Sequence, residues 1–197
     1  MPVAQCGDRH LAIFHHEQLR AFLGIAGEDE LAPYPALAAA LDRVLDAVER
    51  AVVDLPLEHM TTVTHVQDRD ARELILFLLA PFRGYVPSLD RGHFNYEVNP
   101  VFLAQPFSSP PELARFTRAV RAPVIERAML VTDEQAEESI STSRGALTHL
   151  LLLDYLSGRS AYFLQHCYRF LRHVGVEPRD PLSVERMRPI HTGHFNY

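Results

Sequence analysis

The chain has 197 residues, of which 47% are hydrophobic and 22% charged, and its formal net charge is −6. This size and apolar content suit one well-buried domain with small additions. The basic residues are scattered arginines rather than a cluster, which argues against a nucleic-acid-binding surface, and no apolar run has the length of a membrane span.

The two cysteines and the N-terminal residues indicate the cellular compartment in which the protein is expected. Cys6 and Cys167 lie far apart in the sequence and predict free thiols in a reducing environment rather than a disulfide framework. Asp8 and Arg9 precede any apolar run, so the pattern of a signal peptide is not met. We therefore expect a cytoplasmic protein.

Residues 1–34 are expected to form an N-terminal extension. Within it, residues 10–23 can form a short helix, which Gly24 and Gly27 end. The acidic residues at 28–30 then lead into a turn marked by proline.

Four long helices are predicted between residues 35 and 178. Leucine and valine recur at helical spacing, and proline or glycine ends the segments. The predicted helices cover residues 35–55, 57–80, 111–131 and 146–173. Residues 81–110 combine prolines with aromatic residues and predict a long ordered loop packed on the helices. Since no segment alternates as a strand does, we expect an all-α fold, a four-helix bundle.

The C-terminal tail, residues 179–197, still carries apolar residues. These residues are Leu182, Val184, Met187 and Ile190. They predict that the tail packs on the bundle or on a second subunit, with Phe195 buried. A homodimer is therefore one of the two alternatives. The pentapeptide GHFNY occurs at residues 92–96 and again at 193–197, but the flanking residues differ. That excludes a repeat architecture, and chance reuse of turn and aromatic residues accounts for the identity.

Three short motifs follow each other along the second half of the chain. They are TDEQ at 132–135, GALT at 145–148 and LRHVGVEP at 171–178. With the helix order, they resemble the DinB/YfiT-like superfamily of four-helix bundles over residues 35–178. The resemblance implies a divalent metal bound by three histidines, one from helix two and two from helix four, and metal-dependent thiol transferase or isomerase activity in several members.

The metal ligands that the resemblance implies are incomplete here. His65 stands at the helix-two position, but Arg159 and Phe163 occupy the two helix-four positions. A shift by one residue places Gly158 and Tyr162 there instead. Arginine keeps its proton and offers no lone pair to a metal. We therefore expect no metal at this site and no other cofactor.

Helix four carries a polar and aromatic stripe at helical spacing. Its members follow each other at intervals of four, three and four: Tyr155, Arg159, Tyr162 and His166. A guanidinium group between phenol hydroxyls and an imidazole suits a small anion, and His65 is a further candidate contact. The alternatives are that Arg159 pairs internally with Asp68 or Asp154, and that His65 lies on an exposed polar helix face.

These patterns predict a protein that binds a small molecule between helices, with an anion as the first candidate. A metal-dependent hydrolase or thiol transferase is the second hypothesis. It would build a displaced site from His65 with other histidines, namely His93, His166, His191 or His194. A self-associating structural module is the third.

Overall fold

The computed structural model describes residues 31–66, 68–187 and 190, together with the backbone of residues 3–6 and 9–12. The chain divides into two compact units, residues 1–31 and 32–197. In the first unit, strands β1 (Val3–Cys6) and β2 (Arg9–Ala12) pair antiparallel. The predicted helix over residues 10–23 is therefore wrong for residues 10–12, because strand pairing satisfies their backbone groups better than one isolated helical turn. Residues 13–23 lie outside the described residues.

The second unit is mostly helical, which confirms the helical class. Its helices in chain order are α1 (Tyr34–Asp54), α2 (Ala71–Leu79), α3 (Phe82–Arg91), α4 (Pro100–Leu103), α5 (Pro110–Ala128), α6 (Asp133–Glu137), α7 (His149–His173) and α8 (Val184–Met187). Helix α1 packs against both α5 and α7 and buries a leucine and valine face along its whole length. Within the described residues, no helix is both long and apolar enough to cross a bilayer.

Ion pairs fix the direction of α5 against α1. Arg121 binds Asp42 and Asp46 at 2.6 Å each, and Arg118 binds Glu49. Higher numbers on α5 therefore meet lower numbers on α1, so the two helices are antiparallel. Arg118 and Arg121 therefore form ion pairs with carboxylates of the same chain.

The predicted helix over residues 57–80 is wrong in its first half. Among the residues described between 57 and 70, only a 3₁₀ turn (Leu57–His59) is helical, and α2 begins at Ala71. The β-branched run from Thr61 to Thr64 has low helix propensity, and Asp68 adopts a left-handed φ of 54°. Asp70 then caps α2 by accepting the Glu73 backbone N–H at 2.7 Å.

The segment over residues 81–110 is more regular than the predicted loop. It contains α3, which Gly92 ends with a φ of 63°, and the short helix α4. After Gly92, strand β3 (His93–Phe94) buries the Phe94 ring completely. The first GHFNY copy therefore serves as a helix end followed by a strand.

A small three-stranded sheet corrects the expectation of a fold without strands. β3 pairs parallel with β4 (Ser139–Thr142), which pairs antiparallel with β5 (Gly145–Thr148). Four-residue strands are too short for sequence alternation to reveal them, although Ile140 and Leu147 face each other and are buried. Helix α7 consequently begins at His149, and Thr148 caps it.

The tail after Pro178 contacts α1 and α7. Leu182, Met187 and Ile190 are buried. The backbone N–H of Leu182 donates to the Tyr168 hydroxyl at 3.0 Å, and Arg179 binds Asp54 on α1. Phe195 and the second GHFNY copy lie outside the described residues.

Candidate ligand site on helix α7

The predicted stripe lies along one side of α7. Arg159 and His166 are each only 7% exposed, whereas Tyr155 and Tyr162 are half-buried. The Tyr162 ring contacts the His166 ring, with 4.4 Å between centroids. The structure therefore supplies a face with two buried polar groups and two aromatic rings that reach the surface.

Arg159 is bound by the end of helix α2. Its guanidinium donates to the carbonyl oxygens of Phe77 at 2.7 Å and Leu78 at 3.1 Å, and it lies over the rings of Phe77 and Phe163. Within the described part of the chain, two main-chain carbonyls thus take the place that the alternative interpretation gave to Asp68 or Asp154. Carbonyls at a helix end lack partners within the helix, which makes them ready acceptors.

The charge of Arg159 is held in an unfavourable environment. Its pKa is lowered to about 10, mainly by burial; Tyr155 acts in the opposite direction, and the positive charges of Arg69 and Arg144 contribute to the lowering. A buried cation is stabilised only when it is paired or well hydrogen-bonded. Carbonyl dipoles supply the bonds here but no negative charge.

Two arginines that sequence analysis missed stand beside the stripe. The Arg69 guanidinium lies 4.1 Å from the centre of the Phe77 ring. Arg144 lies 4.4 Å from the centre of the Tyr96 ring, which in turn meets Tyr155 edge-on at 5.3 Å. Arg69 precedes α2 and Arg144 follows β4, so no sequence spacing relates them to α7.

His65 and His166 form a direct pair. His65 Nε2 lies 2.8 Å from His166 Nδ1, so one ring nitrogen donates and the other accepts. His65 is exposed, as the alternative reading expected, but it lies in the loop before α2 and not on a helix face. Burial lowers the pKa of His166 to about 4, and His65 and Arg169 contribute in the same direction.

The other sequence candidates lie elsewhere. His93 contacts Ser141 Oγ at 3.0 Å in the sheet, and His191 and His194 are outside the described residues. Phe163, at a ligand position of the family pattern, packs edge-on against Phe77. Burial raises the pKa of the Cys167 thiol to about 12, which makes it a poor nucleophile.

Over residues 31–66, 68–187 and 190, no group of three or more His, Cys, Asp or Glu side chains is arranged to hold a metal ion. The His65–His166 pair could supply two nitrogen ligands to a metal ion, whereas a typical catalytic zinc site has three protein ligands. No known family model matches the chain, and no curated protein is significantly similar to it.

Proposed function

We propose that this protein binds a small anionic molecule at the α7 stripe, beside Arg69 and Arg144. The observation that carries the proposal is the buried charge of Arg159, which neutral carbonyls hold within the field of two further arginines. A bound anion would supply the missing negative charge.

The hydrogen-bonding capacity of the site supports the same proposal. A guanidinium has five N–H donors in a planar fork, and the two carbonyl bonds of Arg159 use two of them. That fork matches the paired oxygens of a carboxylate or phosphate. Tyr155 and Tyr162 add hydroxyl groups on the same helix face.

Calorimetry and thermal shift with phosphate, sulfate, acetate and benzoate test this function, with chloride added to equal ionic strength. We expect at least one oxyanion to raise the melting temperature. Arg144→Gln and Arg69→Gln should each weaken its binding tenfold or more, since each removes a positive charge from the site. Arg115→Gln is the matched control, because Arg115 is an exposed residue on α5. Equal losses in all three variants, or no binding of any anion, would refute the proposal.

The His65–His166 contact favours a second candidate, the metal-dependent hydrolase or transferase. Two nitrogens bound to one tetrahedral ion lie about 3.3 Å apart, so the 2.8 Å between these imidazoles would have to widen by about 0.5 Å to take one. Two imidazoles alone bind a divalent ion weakly, so we expect untagged protein to carry no stoichiometric zinc or nickel. Metal analysis of the untagged protein decides between the two functions. A stoichiometric ion that is lost in the His166→Gln variant would support this second function and contradict anion binding.

The DinB/YfiT-like assignment is likewise a proposal, together with the four-helix bundle and the cytoplasmic location. The order of α1, α2, α5 and α7 supports the assignment, as does the Thr132 cap that opens α6 after α5. The non-helical position of His65 departs from the pattern. The pairing of Arg159 with α2 suggests how a member without the metal would hold the same two helices together.

A further inference from the structure

We infer that the helical unit has a second binding site, a cavity between α1, α2 and α7 that takes one small, uncharged and apolar molecule. Eight side chains line this space, which we call the three-helix cavity. They come from the end of α1, the first turns of α2 and the last turns of α7. The α7 stripe contributes none of them, so the inference does not depend on anion binding.

One short side chain from each helix faces the three-helix cavity. These are Ala51 on α1, Ala71 on α2 and Cys167 on α7, and each is at most 6% exposed. Longer side chains, among them Leu74 and Phe170, form the remaining walls and are also buried. Protein interiors are close-packed and contain few voids. Here the three short side chains meet at one place and leave space that the surrounding core does not fill.

The walls of the cavity are entirely apolar, which decides the chemistry of its ligand. Burial raises the pKa of the Cys167 thiol to about 12, so the sulfur is neutral and only a weak hydrogen-bonding group. A water molecule in a buried space needs about two to four polar partners. An apolar ligand instead gains dispersion contacts with wall atoms that have no partner on the cavity side. The cavity therefore favours an apolar ligand over water.

The size of the cavity limits the ligand to very few heavy atoms. Its empty space is about 250 Å³ when the part open to solvent is included, below the roughly 300–1,000 Å³ of sites for drug-sized ligands. The enclosed part has room for about one sphere of the size of water. We therefore expect a single atom or a diatomic molecule to bind and a ring such as benzene to be excluded. Xenon, a single uncharged and polarisable atom, is the matching probe.

Methyl NMR of the unaltered protein under xenon pressure tests the inference, with nitrogen at equal pressure as the control gas. We expect xenon to produce saturable shifts of the methyl signals of Ile75 and Leu171, which line the cavity. The methyl signals of Leu113, which is equally buried on α5, should not show them. Nitrogen should have a weaker effect because it is less polarisable, and benzene should give no saturable shift at Ile75.

Two substitutions of Cys167 change the cavity in opposite directions while both remove the thiol. Cys167→Leu places additional carbon atoms in the space and should weaken xenon binding at least tenfold, whereas Cys167→Ala enlarges the space and should retain binding.

Four results would each overturn the inference: no saturable xenon shift at Ile75, equal shifts at Leu113, saturable binding of benzene, or unchanged xenon binding in folded Cys167→Leu. The first three use the unaltered protein and stand even where Cys167→Leu does not fold.

Discussion

Arg159 joins two helices through main-chain carbonyls. We predict that Arg159→Leu lowers the free energy of unfolding by about 2–4 kcal/mol, because the carbonyls of Phe77 and Leu78 lose their donors inside the fold. Urea denaturation without ligand measures the loss. Arg91→Gln, which removes an exposed arginine on α3, is the control and should change little. A variant with unchanged stability that only loses anion binding would assign Arg159 to the ligand alone.

Buried histidines make stability depend on pH. The folded state holds His166 neutral, with a pKa of about 4 against 6.5 for the ordinary side chain, and burial also lowers the pKa of His149. The unfolded chain therefore takes up protons first as the pH falls. The stability that these groups contribute is complete above about pH 6.5 and is lost as the pH falls toward 4.

We predict that His166→Gln removes part of this dependence. One proton taken up only by the unfolded state changes stability by at most about 1.4 kcal/mol per pH unit, so the slope between pH 6.5 and 4 should become shallower by up to that amount. Urea denaturation across this range measures it. His173→Gln, at an exposed position in the last turn of α7, should retain the original slope. Identical slopes in both variants would mean that His166 titrates normally in the fold.

At the scale of elements, the start of α2 decides where the site residues stand. The Asp70–Glu73 capping box ends the irregular segment that carries His65 and Arg69, and it thereby fixes both beside α7. A continuous helix from residue 57 would have carried these side chains around its axis at 100° per residue. The break in the helix is thus what assembles the site.

We predict that Asp70→Ala lowers the free energy of unfolding by about 1–2 kcal/mol, since the Glu73 N–H loses its acceptor and Arg72 loses an ion-pair partner. Denaturant unfolding measures it. Asp68→Asn is the matched control: it removes a nearby carboxylate but keeps a residue type that tolerates the left-handed backbone. Similar losses in both variants would point to net charge and not to the cap.

At the scale of the whole molecule, the tail contributes to the packing of the helical unit. Met187 is fully buried, and Gln165 on α7 lies 3.9 Å from its sulfur. We predict that Met187→Ala costs about 2–4 kcal/mol of stability, whereas Glu185→Ala, at an exposed position of α8, costs little. Thermal and denaturant unfolding of the two variants make the comparison. Equal stability of the two would show that the tail adds nothing to the core.

Deletion of residues 191–197 tests two predictions: that this segment packs on the helical unit, and that the chain self-associates through it. The sequence predicts that Phe195 is buried on the bundle or on a second subunit, so removal should lower the melting temperature, the solution mass, or both. Differential scanning calorimetry and light scattering measure them. The docking prediction is wrong when neither quantity changes.

The sequence by itself determined the helices with strong periodicity and the stripe on the last of them. Helices α1, α5 and α7 lie close to their predicted bounds, because apolar spacing is a local property that a window of a few turns contains. The same spacing predicted that Tyr155, Arg159, Tyr162 and His166 would share a face. The irregular segment before α2 was missed because the pattern of apolar and polar residues over 57–70 also fits a helix. Only the β-branched residues and the helix cap at Asp70 argue against a helix there.

Only the tertiary structure decided what surrounds the stripe. The contact between His65 and His166 joins residues 101 positions apart, and the bonds from Arg159 to Phe77 and Leu78 span 82 and 81 positions. Arg69 and Arg144 come from a loop and a strand connection. No periodicity links such positions, since their proximity depends on how the helices and the sheet pack together. That packing converts a row of side chains on one helix into an arginine and aromatic site built from four parts of the chain.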